Sequence, residues 1–465
     1  MATSIVTLSG DFAAAQAQAW EEYWYQQGCA WAQKQAEDYL MALDEALYEQ
    51  RPGGWRVEGK RERRVMTRFG EVQVRRRLYK DEEGKAHFLL DEYLHLPPRQ
   101  LATPTVQEEV VKLSTEIGFE KTGKVLESLT GGVLSKMTVW RLLQQVGEAA
   151  LAAAEEEGEA VYKRGQPPRV EGSRQVERLF MEGDGVWVRL QRANESWMEI
   201  KAGIAYEGWR ALPERREGYE LIRKRVYVHG SKMLSFWEGA SLAWAHYWDL
   251  SQVAQVIIGG DGAGWIRKGT DLFSHSYWQL DGFHLARACV RAVGKKQGQA
   301  LFQAMRRGQW EEAERLWAEA PKRTQASAKR AQRWLETRLA THTGSDWRMA
   351  KESPDETMRG LGSMEGNGAH IIADRMKGKG RSWSRLGALH MAKVKELVLN
   401  EEIGDWCWPA TQPVSQPPVS PPPKNRKRRD TTTWLWVEVP VLHGNHPQRE
   451  WVQKLRQHIN GHRLN

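Results

Sequence analysis

Leu179-Phe180-Met181-Glu182-Gly183-Asp184-Gly185 is the stretch whose reading decides the fold, and Val256-Ile257-Ile258-Gly259-Gly260-Asp261-Gly262 echoes it later in the chain. In each, a short apolar run of strand character closes on Gly-Asp-Gly. Glycine on both sides lets the backbone turn sharply and lets a ligand come close to the carboxylate. A carboxylate at the carboxyl end of a buried strand is costly unless it is paired or binds a cation. Two such aspartates on one sheet point to a shared divalent metal site, with a third ligand to be found elsewhere.

Around these two stretches, strand patterns occupy 178–190, 196–208 and 220–229, an aromatic helix 231–247, and short strands 255–260 and 277–280. Three consecutive strands, a helix and another strand predict an α/β fold with a mixed sheet. Asp281-Gly282-Phe283-His284 then opens a helix to about residue 292, and a charged segment rich in Ala, Gln and Arg follows without strand signal. That segment predicts an all-helical insertion.

Magnesium and manganese select carboxylate oxygens, and a two-metal phosphoryl-transfer site draws them from separated parts of the chain. Asp184 and Asp261 suit such a site. The third candidate is Glu365, in Leu361-Gly362-Ser363-Met364-Glu365-Gly366-Asn367-Gly368, where flanking glycines again open the backbone at a helix start. A glutamate in a first helical turn is also favoured by the helix dipole alone. Glu182 shares the strand face of Asp184; the glycine-bracketed Asp184 is the better ligand candidate.

The composition agrees with a polyanionic partner. The chain has 465 residues, 41% of them hydrophobic, and a formal charge of +9, enough apolar material for two or three domains. Three cysteines, Cys29, Cys289 and Cys407, lie far apart without metal-binding spacing, which excludes a zinc finger and a disulfide framework. No apolar run approaches the roughly 18–20 residues of a membrane-spanning helix. A soluble cytoplasmic protein without membrane contact is expected.

Twenty-three tryptophans are present. Trp20, Trp24, Trp31, Leu40, Leu43 and Leu47 fall at helical spacings over 11–50, giving one apolar stripe that suits core packing or a dimer contact. A basic alternating stretch from Arg61 to Arg77 reads as a β-hairpin whose Arg75, Arg76 and Arg77 could meet phosphates. Within the helical 105–147, a turn at Gly131-Gly132 and a Ser135 N-cap resemble helix–turn–helix. After Glu365, Arg375, Lys377, Lys379, Arg381 and Arg385 interleave with glycines, and Trp383 could stack on a displaced base. Pro413 to Pro423 and the basic run Lys424–Arg429 read as an extended linker.

Taken in order, Met181-Glu182-Gly183-Asp184-Gly185-Val186-Trp187, Gly260-Asp261-Gly262-Ala263, Leu280-Asp281-Gly282-Phe283-His284 and Gly362-Ser363-Met364-Glu365-Gly366-Asn367 resemble bacterial insertion-sequence transposases of the ISLre type, a family similar to the Mutator-like DDE transposases. The likeness runs from about Arg61 to Asn400. It implies an RNase H-like catalytic core in which Asp184, Asp261 and Glu365 bind two Mg²⁺ or Mn²⁺ ions. The span of 104 positions from Asp261 to Glu365 leaves room for the helical insertion that such enzymes carry there. Asp281 and His284 match the family's Asp/Cys-x-x-His motif, which implies a role in orienting DNA beside the metals; a core histidine is the plain alternative for His284.

The expected organisation is an N-terminal helical region (1–54), a basic hairpin and helix–turn–helix-like DNA-binding region (55–165), a catalytic domain (170–400) with a helical insertion at about 295–355, a Pro-rich basic linker (408–430) and a tail (431–465). The expected activity is metal-dependent cleavage at transposon ends and strand transfer into target DNA, by a homo-oligomer on DNA. The alternatives are an inactive or domesticated DNA-binding relative and an RNase H-like structure-selective nuclease.

Overall fold

Apolar residues at helical spacing build one long first helix, α1 (Gly10–Glu49), in the computed structural model, which describes residues 10–98, 100–212, 218–346, 348, 359–378 and 380–408. The expected single apolar stripe divides in two. Leu43 is buried with Val74 and Leu90, and Leu40 and Leu47 pack beside them, whereas Trp20, Trp24 and Trp31 face outward. The linker 413–423, the run Lys424–Arg429 and the tail lie outside the described residues.

The basic stretch is a hairpin as expected. Strand β1 (Arg56–Thr67) pairs antiparallel with β2 (Gly70–Lys80), and β3 (Ala86–His87) and helix α2 (Leu89–Tyr93) complete the unit. Its arginines do not form one free cationic face. Arg75 is exposed, but Arg76 is buried, with Nε 2.8 Å from Asp91 and its guanidinium over the Phe88 ring. Arg77 is buried too, 2.5 Å from Asp44 and 2.6 Å from Glu45. These two arginines fasten the hairpin to α2 and α1, because a buried guanidinium needs a carboxylate beside it. Arg77→Ala leaves Asp44 buried and uncompensated, so we expect a loss of about 3 kcal/mol, read as a lower urea midpoint.

Three helices follow: α3 (Pro104–Glu116), α4 (Phe119–Thr130) and α5 (Lys136–Gly158). Gly131 ends α4 in the left-handed region at φ 67°, and the Ser135 side chain accepts the Thr138 N–H to start α5. Val139 and Leu142 join the core with Met66, Val106 and Leu126. Further along, Leu143, Val146 and Ala150 enter the core of the main sheet. Helix α5 is thus longer than a helix–turn–helix requires and belongs to both cores.

The main sheet is a mixed α/β layer, as the strand and helix pattern predicts. It comprises β4 (Arg178–Arg189), β5 (Trp197–Tyr206), β8 (Arg225–Val228), β9 (Gln255–Gly260) and β10 (Ser276–Leu280); a small ribbon, β6 (Trp209–Ala211) with β7 (Tyr219–Leu221), stands beside it. Its order is β10-β9-β4-β5-β8. Strands β4, β5 and β8 are antiparallel neighbours; β9 and β10 run parallel to β4.

Period-2 alternation sorts the sheet's side chains. Phe180, Val186, Ile200 and Ile257 face α5 and α14 (Arg385–Leu399). Leu179, Met181, Val256 and Ile258 face α6 (Phe236–Ala245), with its Phe236, Trp237 and Trp244. Beyond the sheet, α7 (Gly264–Arg267) and α8 (Gly282–Val293) lead to α9 (Lys295–Arg306), α10 (Trp310–Glu319) and α11 (Ala326–Ala340), the expected helical insertion, which has its own core around Leu285, Leu301 and Leu335. The chain returns through α12 (Ser363–Gly368) and α13 (Asp374–Met376), and α15 (Ile403–Cys407) follows α14.

Candidate active site

Register places the aspartates. The last β4–β9 pair is Gly183 opposite Gly260, so Asp184 and Asp261 emerge side by side just beyond it. Leu280 of β10 also pairs with Gly260, and the Asp281 N–H donates to the Gly260 carbonyl at 2.8 Å. Three adjacent parallel strands therefore each deliver an aspartate at one level. Asp184 is not at a strand end, as expected, but within β4, at the point where β4 loses its parallel neighbour.

The glycines serve close packing more than turning. A side chain at Gly260 would meet Ile266 at 2.8 Å, and one at Gly183 would press on Trp265 at 3.3 Å. Only Gly262 of the two Gly-Asp-Gly stretches has a positive φ, 91°. A Cβ there would also stand 2.4 Å from Arg338 Nη2.

Asp281 N-caps α8 by accepting the Phe283 N–H at 2.6 Å, which sets His284 in the first turn. His284 Nδ1 lies 3.3 Å from Asp281 Oδ2, an ion-pair distance without hydrogen-bond alignment, and Nε2 lies 3.9 Å from Glu365 Oε2. Asp281 raises the His284 pKa, with help from Glu365 and Asp261 against the opposing effect of burial. Asp184, Asp261, Asp281, His284 and Glu365 line one pocket together with Glu182 and Met364. All five residues expected at the centre are brought together.

Glu182 has a different task from its neighbour. Fully buried, it accepts the Tyr206 hydroxyl at 2.6 Å and the backbone N–H groups of Gly362, Met364 and Ser363 at 2.9, 3.1 and 3.3 Å. Burial pushes its carboxyl pKa up, and the four donors pull it back. It clamps the start of α12, and so fixes the turn that carries Glu365. Its sequence signal was its place two residues before Asp184, on the same face. Glu182→Ala orphans four donors; we expect a loss of about 3 kcal/mol or more, measured by urea unfolding.

Electrostatics mark Asp184 as the strained member. Burial pushes its carboxyl up to about 6; the Gly185 N–H lowers it, the charges of Asp261 and Glu365 raise it further, and His284 opposes them. Asp184 accepts the Gly185 N–H and Asp261 the Ala263 N–H, but among the described residues neither forms an ion pair with Lys, Arg or His. Two adjacent aspartates without such a partner fit a hard divalent ion. The described side chains do not stand closed up as a ready metal cage, and Glu365 is half exposed.

Arg338 was not anticipated. It reaches from α11 to Gly262, with its guanidinium over the Trp334 ring and Nη1 donating to the Trp334 carbonyl. Burial brings its pKa down to about 10, and Asp261 acts to raise it. In sequence it is one of several insertion arginines, with nothing local to single it out.

The basic segment after Glu365 needs correction. Arg375 is buried, its Nε donating to the Ser114 carbonyl at 2.8 Å and its guanidinium lying over Phe119 and Trp383. Trp383 is itself buried, with Nε1 donating to the Met376 carbonyl at 3.0 Å, so it is not available to stack on a base. Arg381 holds the carbonyls of Asp374, Arg375 and Lys377 at the end of α13. Arg385 pairs with Glu195, and Lys377 is exposed; Lys379 lies outside the described residues.

These features define a mixed α/β protein whose acidic pocket gathers residues from three parallel strands and a returning helix. The chain belongs to the family described as Uncharacterised protein family (UPF0236), whose model matches residues 25–406. It is 28% identical over 353 residues to the UPF0236 protein in vanSb 3'region of Streptococcus gallolyticus, covering 73% of each chain. It is 25% identical over 383 residues to a UPF0236 protein of Caldanaerobacter subterraneus subsp. tengcongensis, covering 79% of this chain and 74% of that one; the name of that relative joins eleven locus designations. No described helix is long and apolar enough to cross a membrane.

Proposed function

We propose that this chain is a DDE transposase of the ISLre type, with an RNase H-like core, that cuts DNA at transposon ends and joins the freed 3′-hydroxyl to a target. The observation that carries this reading is the convergence of Asp184, Asp261 and Glu365, from distant parts of the chain, on one pocket where neither aspartate has a basic ion-pair partner among the described residues. Support also comes from the sheet. In order of appearance its strands lie 3-2-1-4-5, with the first three antiparallel and the last two parallel to the first, the arrangement expected of an RNase H-like core. The eleven loci in one relative's name suit a sequence that is copied within a genome.

Asp184, Asp261 and Glu365 would hold Mg²⁺ or Mn²⁺. Two such ions supply Lewis-acid polarisation of the scissile phosphate and a more acidic attacking hydroxyl. The chain's own groups set the rest. Glu182 keeps Glu365 in place, Asp281 holds His284 towards its cationic form, and His284 faces the pocket where a phosphate oxygen needs a donor. Attack is in line at phosphorus, without a covalent enzyme intermediate.

End recognition falls to the α4–α5 pair, whose exposed Met137 and Trp140 stand at the start of α5 with the exposed Val133 just before it, where a recognition helix presents its N-terminal residues to bases. Pairing of two ends calls for at least two copies, and the outward tryptophans of α1 are available for that contact. The test is incubation with DNA carrying the ends that flank the gene, with Mg²⁺, followed by mapping of the cut. Cleavage at a fixed position relative to the ends supports the transposase; cleavage of any branched DNA without strand transfer supports the structure-selective nuclease instead.

A further inference from the structure

Beyond the pocket, β4 and β5 continue as a two-stranded ribbon with unequal faces. Val186, Val188, Met198 and Ile200 point into the core, which satisfies the ribbon's need for burial. The opposite face, normally given to small polar residues, carries Trp187 and Trp197, 52% and 53% exposed. Trp187 is paired with Glu199, and Trp197 with Arg189, so the two rings sit diagonally on neighbouring strands. Closer to the pocket the same face shows Lys201, with Nζ 5.0 Å from the centre of the Trp265 ring, and Trp265 in turn lies against Gly183.

The result is a strip of two exposed tryptophans and two cations, Arg189 and Lys201, with the half-buried Trp265 at its Gly183 end, about 20 Å long. Its one acid, Glu199, is folded over Gly185. Each element has a counterpart in one ligand. Aromatic faces stack on bases whatever their identity, and interleaved cations follow a phosphate backbone. A protein partner would want a drier, continuous apolar patch.

We propose that this face binds unstacked single-stranded DNA. Period 2 puts Asp184 on the other face of β4, with Glu182 and Val186, so the strip is a surface separate from the acidic pocket. This inference rests on the transposase reading for its biological setting, but the binding it requires is independent of metal and of cleavage.

The experiment measures anisotropy of a labelled twenty-nucleotide dT strand with the full chain in EDTA. The wild-type protein is expected to bind, and the double substitution Trp187→Ala, Trp197→Ala to weaken binding roughly thirtyfold or more. The pair Trp187→Phe, Trp197→Phe keeps aromatic faces and should restore most of it. If circular dichroism shows that the alanine pair is unfolded, Trp187→Thr, Trp197→Thr keeps strand propensity without a ring. Arg189→Ala should reduce the salt slope by about 0.7.

Wild-type failure to bind the strand, binding unchanged in the folded double variant, or a change of oligomeric mass in that variant each overturns the proposal. Loss of end cleavage with strand binding intact would overturn the transposase reading instead.

Discussion

Asp184→Asn, Asp261→Asn and Glu365→Gln are each expected to reduce Mg²⁺-dependent cleavage of end DNA by roughly a thousandfold or more, while binding to the ends changes little. The size follows from the several kcal/mol that metal-held charge contributes at a transferring phosphoryl group, each 1.36 kcal/mol being tenfold. The expected sparing of binding follows from location: the three carboxylates line the pocket, and no described residue of α5 does. Cleavage and electrophoretic-mobility assays on the same preparations separate the two effects. Retained cutting in any one of the three removes that residue from the site.

Glu182 is the discriminating comparison. It is as close to Asp184 in sequence as a residue on the same face can be, yet its four donors leave it no free lone pair directed at a cation. Its substitution should act through stability and the position of α12. Asp281→Asn should act differently again: it lowers the drive towards protonated His284 and so moves the pH profile of cleavage without unfolding the protein.

The site was more legible in the sequence than the surfaces around it. The convergence of Asp184, Asp261 and Glu365 on one pocket could be read because carboxylates bracketed by glycine beside short apolar runs have few structural explanations. The mixed sheet was legible too, because its apolar runs are short and bounded, and 255–260 matches β9 to the residue. What failed was the meaning of basic and aromatic residues. Arg76, Arg77, Arg375 and Trp383 look like surface chemistry in one dimension, and all are buried.

Their partners lie far off in the chain: Asp44 is 33 positions from Arg77 and Ser114 is 261 from Arg375. No local pattern announces such a pairing, and an arginine has the same letter whether it meets water or a carbonyl. The converse holds for Trp187 and Trp197, whose exposure depends on which face of β4 and β5 the core selects. Glu182 shows a third limit. Period 2 put it on the right face, but only the return of α12 across the sheet edge supplies the N–H groups that make it a clamp.

The second large effect is on stability, and its sign is opposite to that of most substitutions. Asp184 has its carboxyl raised in the fold to about 6 from an ordinary 3.8, so the fold favours the protonated acid. That contribution is fully present below about pH 3.8, falls as the unfolded chain ionises and the folded one does not, and is lost once pH passes about 6. At neutral pH the metal-free protein therefore carries a charge that burial disfavours first and the neighbouring carboxylates disfavour further. Asp184→Asn removes it while keeping the shape, and we expect a gain of about 1–2 kcal/mol after allowance for solvent screening. The measurement is thermal unfolding in EDTA, where the variant should melt several degrees higher than wild type at pH 7 and little differently at pH 4. Adding Mn²⁺ should then raise the wild-type midpoint by ligand linkage and leave the variant almost unmoved, so the two proteins exchange or close their order. A variant less stable than wild type in EDTA at pH 7 would mean that Asp184 holds the fold together, and the case for a strained, cation-seeking site would go with it.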